Sequence, residues 1–294
     1  MIVRVPASSA NLGPGFDTLG LALTLPAEFG LVHGTDDRAG DARDEGSGAP
    51  DGARVCDRRH PAAIAFERCG GVGSLWARSP IPAGRGLGFS GAVRVGGAVL
   101  ALAQRGRELD DDACAEVLAV VTDLEGHADN VAASLVGGVV ATGGGQVVRV
   151  PLAVDPAIVV WVPSTVTKTD ESRRILGAPV PFADAVFNVG RVAMLVGALA
   201  AGDVAALRIA SEDRLHQPAR LALAAPSRHA IEVAHDAGAW CAWLSGSGPT
   251  VAAMCPVADA ERVVAAWSDA LPGVGHAKVL RIDHEGARIE HPYT

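Results

Sequence analysis

Lysine is nearly absent from this chain: Lys168 and Lys278 are the only two in 294 residues. Two function classes fall with it. A Walker A loop needs a lysine directly after its last glycine, and no glycine-rich loop here has one. A nucleic-acid surface needs a basic stripe, whereas the formal net charge is −8. Aromatic residues make up only 4% of the chain, so the core must come from aliphatic and small side chains, which the 49% hydrophobic content supplies. Cysteine is sparse as well. Cys56, Cys69, Cys114, Cys241 and Cys255 are an odd number without C-x-x-C spacing. That excludes a disulfide framework or a zinc ribbon and points to buried free thiols in a reducing cytoplasm. An apolar leader is missing too: Arg4 and Pro6 stand within the first six residues, and no signal peptide is expected. The longest uncharged run, Val131 to Val148, is broken by Gly137, Gly138 and Gly143 to Gly145, too glycine-rich for a membrane span. Neither nucleic acid nor membrane is therefore an expected partner.

Glycine is what the chain has in quantity, and it is densest in Pro82-Ala83-Gly84-Arg85-Gly86-Leu87-Gly88-Phe89-Ser90-Gly91-Ala92. Val93 to Ala103 follows as a run of small and aliphatic residues, which predicts a tight loop feeding a buried helix. Such a loop presents backbone N–H groups to an anion, with the helix dipole adding partial positive charge. A phosphate cradle and a loop of packing glycines are equally compatible with this stretch alone. Gly86-x-Gly88-x-x-Gly91 matches the dinucleotide fingerprint literally, but it sits late in its domain and no acidic residue ends a second strand after it. A nucleophile elbow would need glycine where Ala92 stands, and it fails again after Ser247. Ser90 is placed to cap the helix or to ligate a cation. Glu125, beside Gly126, His127, Asp129 and Asn130, could hold Mg²⁺, which keeps only one or two protein carboxylates besides phosphate and water. The bland alternative for Glu125 is a solvated helix end, and for His127 a structural hydrogen bond.

Along the chain, Ile2 to Val5 is expected as a short strand ending at Pro6. The loop Ala7 to Asp17 carries Asn11 and Asp17, either as turn residues or as site residues. Thr35 to Asp57 is polar and aperiodic and reads as a long surface loop. Helices are expected over His60 to Cys69, from the opening loop to Gln104, from Asp110 to Leu124, over Ala183 to Ala201, from Gly202 to about Leu215 (ended by His216 to Arg220), over Ser227 to Ala237 and over Ala258 to Leu271. Strands are expected over Leu75 to Ser79, Val139-Val140, Val147 to Val150, Ile158 to Val162, Trp240 to Leu244, Val251 to Cys255 and Ala277 to Ile282. Pro151 to Pro156 reads as a boundary between residues 1–150 and 151–294. The second part, with strands and helices in separate runs, reads as α+β with an antiparallel sheet.

Three motifs in this order resemble the GHMP kinase superfamily, and within it the homoserine kinases most. They are Pro6 to Gly20 (PASSANLGPGFDTLG), Pro82-x-Gly84-Arg85-Gly86-Leu87-Gly88-x-Ser90, and Leu244-Ser245-Gly246-Ser247-Gly248-Pro249-Thr250. Glu125 to Ala132 and Asp213 to Arg220 resemble further segments of that family, so the likeness spans nearly the whole chain. It implies an α+β GHMP kinase fold, with an N-terminal domain like ribosomal protein S5 domain 2 and a ferredoxin-like C-terminal domain. It implies an ATP-dependent, Mg²⁺-assisted kinase acting on the side-chain hydroxyl of homoserine, a small amino-acid substrate, on the way to threonine. A homodimer is among the assemblies it implies. Pro82, Gly84, Arg85, Gly86, Leu87, Gly88 and Ser90 would bind ATP, and Ser90 and Glu125 would hold the metal. Asn11, Asp17, Asn130, Thr169, Arg173 and Arg220 match substrate positions, and Asp17, Asn130 and Arg173 become the catalytic candidates. The two arginines would grip a carboxylate, which suits the guanidinium fork. The chain departs from the family pattern at Phe89 and Gly91, where the loop usually reads Ser and Ala, and at Asp170, where lysine is usual. The adenine-pocket asparagine has Asp57 as its nearest candidate. A kinase of the same superfamily for shikimate or a mevalonate derivative, and an amino-acid-binding homologue without catalysis, are the alternative readings.

Overall fold

Among the described residues, three strands precede the first helix. The computed structural model describes residues 1–32, 49–165, 169–176 and 179–291, and the side chains of residues 169–171 lie outside the description. Most of the surface loop expected from Thr35 falls outside the described residues. In chain order the first part contains β1 (Ile2–Ala10), β2 (Leu19–Leu31), β3 (Arg54–Val55), α1 (Pro61–Arg68), β4 (Leu75–Arg78), α2 (Phe89–Gln104), α3 (Asp111–Glu125), α4 (Asp129–Val136), β5 (Val139–Gly143) and β6 (Gln146–Val150). The second contains β7 (Ala157–Pro163), α5 (Thr169–Arg174), α6 (Phe182–Ala201), α7 (Leu207–Ala210), α8 (Gln217–Ala222), α9 (Ala225–Asp236), β8 (Cys241–Leu244), β9 (Val251–Cys255), α10 (Ala260–Ala270) and β10 (Gly275–Leu280). A last strand, β11 (Arg288–Glu290), returns to the first sheet and pairs antiparallel with β1.

The first sheet runs β11-β1-β2-β4-β3, with β5 and β6 branching from β2. Its inner face packs on α2, whose Val95, Ala98, Val99 and Leu102 are fully buried. Burying each such valine or leucine is worth about 1.5–3 kcal/mol, so α2 is the anchor of this half. Helix α1 comes close to α2 because Gly97 has no side chain: a Cβ there would stand 2.0 Å from the Ala62 carbonyl oxygen. The second sheet runs β10-β7-β9-β8, all antiparallel, with β7, helices, β8, β9, α10 and β10 in sequence. That is the split β-α-β of a ferredoxin-like domain. Trp161 and Trp267 fill its core, and the Trp267 indole donates to the Ala230 carbonyl at 2.7 Å.

Several expectations are corrected. β1 does not stop at Pro6. It continues to Ala10 through a register shift between Pro6 and Ala7, the kind of bulge that lets a strand carry a proline. The helix expected from Gly202 to Leu215 shrinks to α7, and His216 to Arg220 begins α8 instead of ending a helix. The Asp213 carboxylate explains this: it accepts from the backbone N–H of Leu215, His216 and Gln217 and so caps the start of α8, with Pro218 in the first turn. β11 was not anticipated. It means that the tail of the chain belongs with the first sheet, although its sequence lies beyond the boundary at 151.

Candidate active site

Three polar loops meet where the two sheets face each other, and buried serines tie them together. Ser9 Oγ accepts from the Trp243 indole at 3.0 Å and shares a 2.7 Å bond with the Ser245 hydroxyl. Ser245 Oγ reaches the Gly86 carbonyl, and Gly246 N–H donates to the Ala10 carbonyl. Ser8 Oγ donates to Asn130 Oδ1 at 2.9 Å. The loop glycines answer to this junction. Gly86 (φ +76°) and Gly88 (φ +67°) hold left-handed backbone, and a Cβ would fall 2.1 Å from the Ser245 carbonyl oxygen and 1.9 Å from Ser8 Oγ respectively. Packing therefore imposes glycine at both positions, whatever the loop binds.

The junction encloses a cavity of about 530 Å³. On one side lie Gly84, Gly86, Gly88, Ser90 and Gly91, with Gly88 as the left-handed cap of α2. The first N–H groups of α2 lack helical partners and point toward this side, which is an anion site by construction. Ser90 Oγ donates to Glu125 Oε1 at 2.6 Å. Arg94, one turn along α2, bonds through Nη1 to that same hydroxyl and that same carboxylate oxygen. His127 and Asp129 close the rim, with Nδ1 and Oδ1 2.8 Å apart. A hydroxyl and a carboxylate are hard oxygen donors of the kind Mg²⁺ takes, and Arg94 Nη1 bonds to both of them here.

On the other side Asp17 and Arg173 form a fork-to-fork ion pair, with Nη1–Oδ2 at 2.9 Å and Nη2–Oδ1 at 2.7 Å. Asp17 holds φ +54° and Asn11 φ +72°, left-handed conformations that cost a non-glycine residue about 1–3 kcal/mol each. The strain is held by Asn11, whose Oδ1 accepts from the Asp17 N–H while its Nδ2 donates to the Gly246 carbonyl. Arg220 is almost fully buried and donates to the Gly246 carbonyl and to His216 Nδ1. His216 Nε2 lies 2.7 Å from the Gly13 carbonyl. A carbonyl only accepts and a guanidinium only donates, so His216 is the neutral Nε2–H tautomer. Burial lowers its pKa, which agrees. Burial first, then the Arg173 cation, pushes Arg220 down to about 10, still charged at neutral pH. Both guanidinium groups lie over the Phe16 ring, at 5.5 and 5.2 Å, and Phe16 stacks on His216. Two arginines thus share one ring at the cavity wall.

Family models place the chain. One described as the GHMP kinases N terminal domain matches residues 58–138, and one described as GHMP kinases C terminal matches residues 195–273. Homoserine kinase of Carboxydothermus hydrogenoformans is 41% identical over 261 residues, covering 86% of this chain and 84% of that protein. Homoserine kinase of Moorella thermoacetica is 41% identical over 262 residues, covering 86% and 87%. The chain belongs to the homoserine kinase family of GHMP kinases. The crystal structure of homoserine kinase from Cytophaga hutchinsonii superposes with a TM-score of 0.80 at 25% identity, covering 99% of this chain and 97% of that one. Mevalonate kinase of Methanococcus jannaschii, at 12% identity and a TM-score of 0.68, shares the fold alone.

Of the residues that the family motifs single out, Asn11, Asp17, Gly84, Gly86, Gly88, Ser90, Glu125, Asn130, Arg173 and Arg220 all line the one cavity. The others do not. Leu87 is buried in the core, and Arg85 fastens the loop to β7 by donating to the Pro163 and Ser164 carbonyls. Pro82 precedes the lining segment, and the side chain of Thr169 lies outside the described residues. Asp57 accepts from the Arg59 N–H near the start of α1, away from the cavity. The five cysteines are free, three buried and two half-buried, with burial the main cause that pushes their thiols up, Cys241 to about 12. Arg94 and Phe16 also line the cavity, and the sequence reading did not single them out as site residues. A charge inside an apolar helix, Val93-Arg94-Val95, was the signal available for the first.

Proposed function

We propose that this chain transfers the γ-phosphoryl group of ATP to the side-chain hydroxyl of L-homoserine, giving O-phosphohomoserine on the way to threonine. The observation that carries it is the joining, in one cavity, of a backbone N–H cradle at a helix N-terminus with an arginine pair backed by Asp17. The curated likeness to homoserine kinases supports the same substrate. Phosphoryl transfer asks for positioning and charge neutralisation more than for a strong base. Gly86 to Ser90 and the α2 dipole hold the phosphates, and Arg220 with Arg173 receives the substrate carboxylate. Asp17 and Asn130 orient the ammonium and the reacting hydroxyl. Ser90 and Glu125 would hold Mg²⁺, which when bound offsets charge on the phosphate oxygens.

The test is ADP release with a panel of homoserine, shikimate and mevalonate. Homoserine should be turned over in preference to the rest, and background turnover with homoserine sinks the proposal. Arg220→Ala should raise the homoserine KM by about tenfold to a hundredfold, as loss of a buried charge partner does, with a smaller effect on the KM for ATP. An unchanged homoserine KM removes Arg220 from the site.

Helix α6 supports the accompanying reading of a homodimer. It is long and apolar enough to cross a membrane by composition, yet Phe182, Val186, Val189 and Met194 are exposed on it while Leu195, Ala198 and Leu199 pack inward. Sedimentation should find a dimer that Val189→Glu dissociates; a monomer at working concentrations rejects it. A cytoplasmic location goes with this reading, supported by the free thiols.

A further inference from the structure

Arg94 stands in a place that the kinase reading leaves unexplained. It lies four residues after Ser90, on the same face of α2, and helical side chains lean toward the N-terminus. Its guanidinium is thereby carried back to the phosphate side of the cavity, whose wall it forms. The side chain is 18% exposed and its partner Glu125 8% exposed. Both contacts, to Ser90 and to Glu125, are made by Nη1, which leaves the Nη2 donors for a ligand. The other arginines on the cavity wall stand on its opposite side, beside Asp17 for Arg173 and beside His216 and Gly246 for Arg220. Arg85 turns away to the β7 carbonyls. Arg94 is therefore the guanidinium at the loop where a triphosphate would lie.

We propose that Arg94 contacts the terminal phosphate of the nucleotide and supplies, from the protein, part of the charge neutralisation that Mg²⁺ supplies beside it. The inference rests on the nucleotide-site reading above. A guanidinium suits phosphate oxygens because its donors form a planar fork and it does not lose its charge. Placed beside Glu125, it also cancels a carboxylate that would otherwise repel the incoming anion. The consequence is a nucleotide site that keeps affinity for ATP when no divalent ion is present.

A plain alternative is that Arg94 only neutralises Glu125, and the experiment separates the two. Calorimetry with the full chain measures ATP binding in EDTA and Mg·ATP binding in excess magnesium. For the wild type, metal-free ATP should bind within about tenfold of Mg·ATP. Arg94→Met should weaken metal-free binding by about tenfold or more, or about 1.4 kcal/mol, and Mg·ATP binding by less than about threefold, since the metal covers the same charge. The double variant Arg94→Met/Glu125→Gln leaves no buried charge unpaired and so guards against misfolding of the single variant. It should remain weak for metal-free ATP. Recovery of wild-type metal-free affinity in the double variant overturns the proposal, because neutralising Glu125 would then have been the whole role. So does a wild type that binds Mg·ATP well and ATP in EDTA not at all. A wild type that binds neither form overturns the kinase reading together with this one.

Discussion

Asp17→Asn is expected to lower kcat with homoserine by about a hundredfold to a thousandfold, the size seen when one preorganised polar group at a reacting centre is lost, while the melting temperature moves by no more than about 2 °C. The two halves of this expectation come from one geometry. The Asp17 and Arg173 side chains are 35% and 36% exposed, and an ion pair so open to water is worth about 0–1 kcal/mol. A change of that size shifts melting of a chain this long by only about 2 °C. Yet the pair costs the fold something, because Asp17 is held in left-handed backbone. An arrangement that is strained, half-exposed and braced by Asn11 is poorly explained by stability. It is well explained by the need to keep a carboxylate and a guanidinium fixed at the cavity wall. Arg173→Met should fall by a similar factor. Because the two act as a unit, the double variant should be little worse than the poorer single one. Full additivity, or a loss below tenfold in Asp17→Asn, would take the pair out of the catalytic machinery.

Gly86→Ala should have the largest effect on stability. The added methyl meets the Ser245 carbonyl oxygen at 2.1 Å and the Gly248 backbone nitrogen at 3.1 Å, and neither can rotate away. Left-handed backbone at a non-glycine residue adds about 1–3 kcal/mol, and overpacking about 1–3 kcal/mol more. The sum, roughly 2–6 kcal/mol, corresponds to a fall in melting temperature of about 4–24 °C at about 2–4 °C per kcal/mol. Gly91→Ala is the control within the same loop. Its nearest neighbour to a new Cβ is Asn130 Cβ at 3.4 Å, its φ is not left-handed, and alanine favours the helix by up to about 1 kcal/mol. Melting should therefore hold or rise. If Gly86→Ala melts with the wild type, the close contact between the Gly86 loop and Ser245 is wrong.

These two glycines show how far the sequence could be read. The loop, the helix after it and the partner motifs were legible because glycine density and apolar periodicity are local signals. What each glycine is for was not. Gly86 and Gly88 looked like openings for an anion, and they are also the points where Ser245 and Ser8 press against the loop, contacts made across more than 150 and about 80 residues of chain. Arg94 was visible as a charge inside an apolar helix, but its partner was not: Glu125 lies at the far end of another helix. The start of α8 was misread because the deciding group is the Asp213 side chain, which supplies hydrogen bonds that no propensity scale contains. β1 ran past Pro6 because a bulge absorbed the proline. The fold class and the family motifs survived all of this, since they rest on many residues rather than on one contact.

The pairing of β1 with β11 has a consequence for how the protein is made. Val3 lies opposite Ile289, so one of the earliest strands off the ribosome waits for one of the latest to close its outer edge. Until then the leading half carries a row of unpaired backbone donors and acceptors, the kind of edge on which nascent chains stick to one another. A polypeptide released short of Arg288 keeps that edge open permanently. The ion pair between Arg4 and Glu290 at 3.3 Å then forms only after every strand of the second sheet has been synthesised.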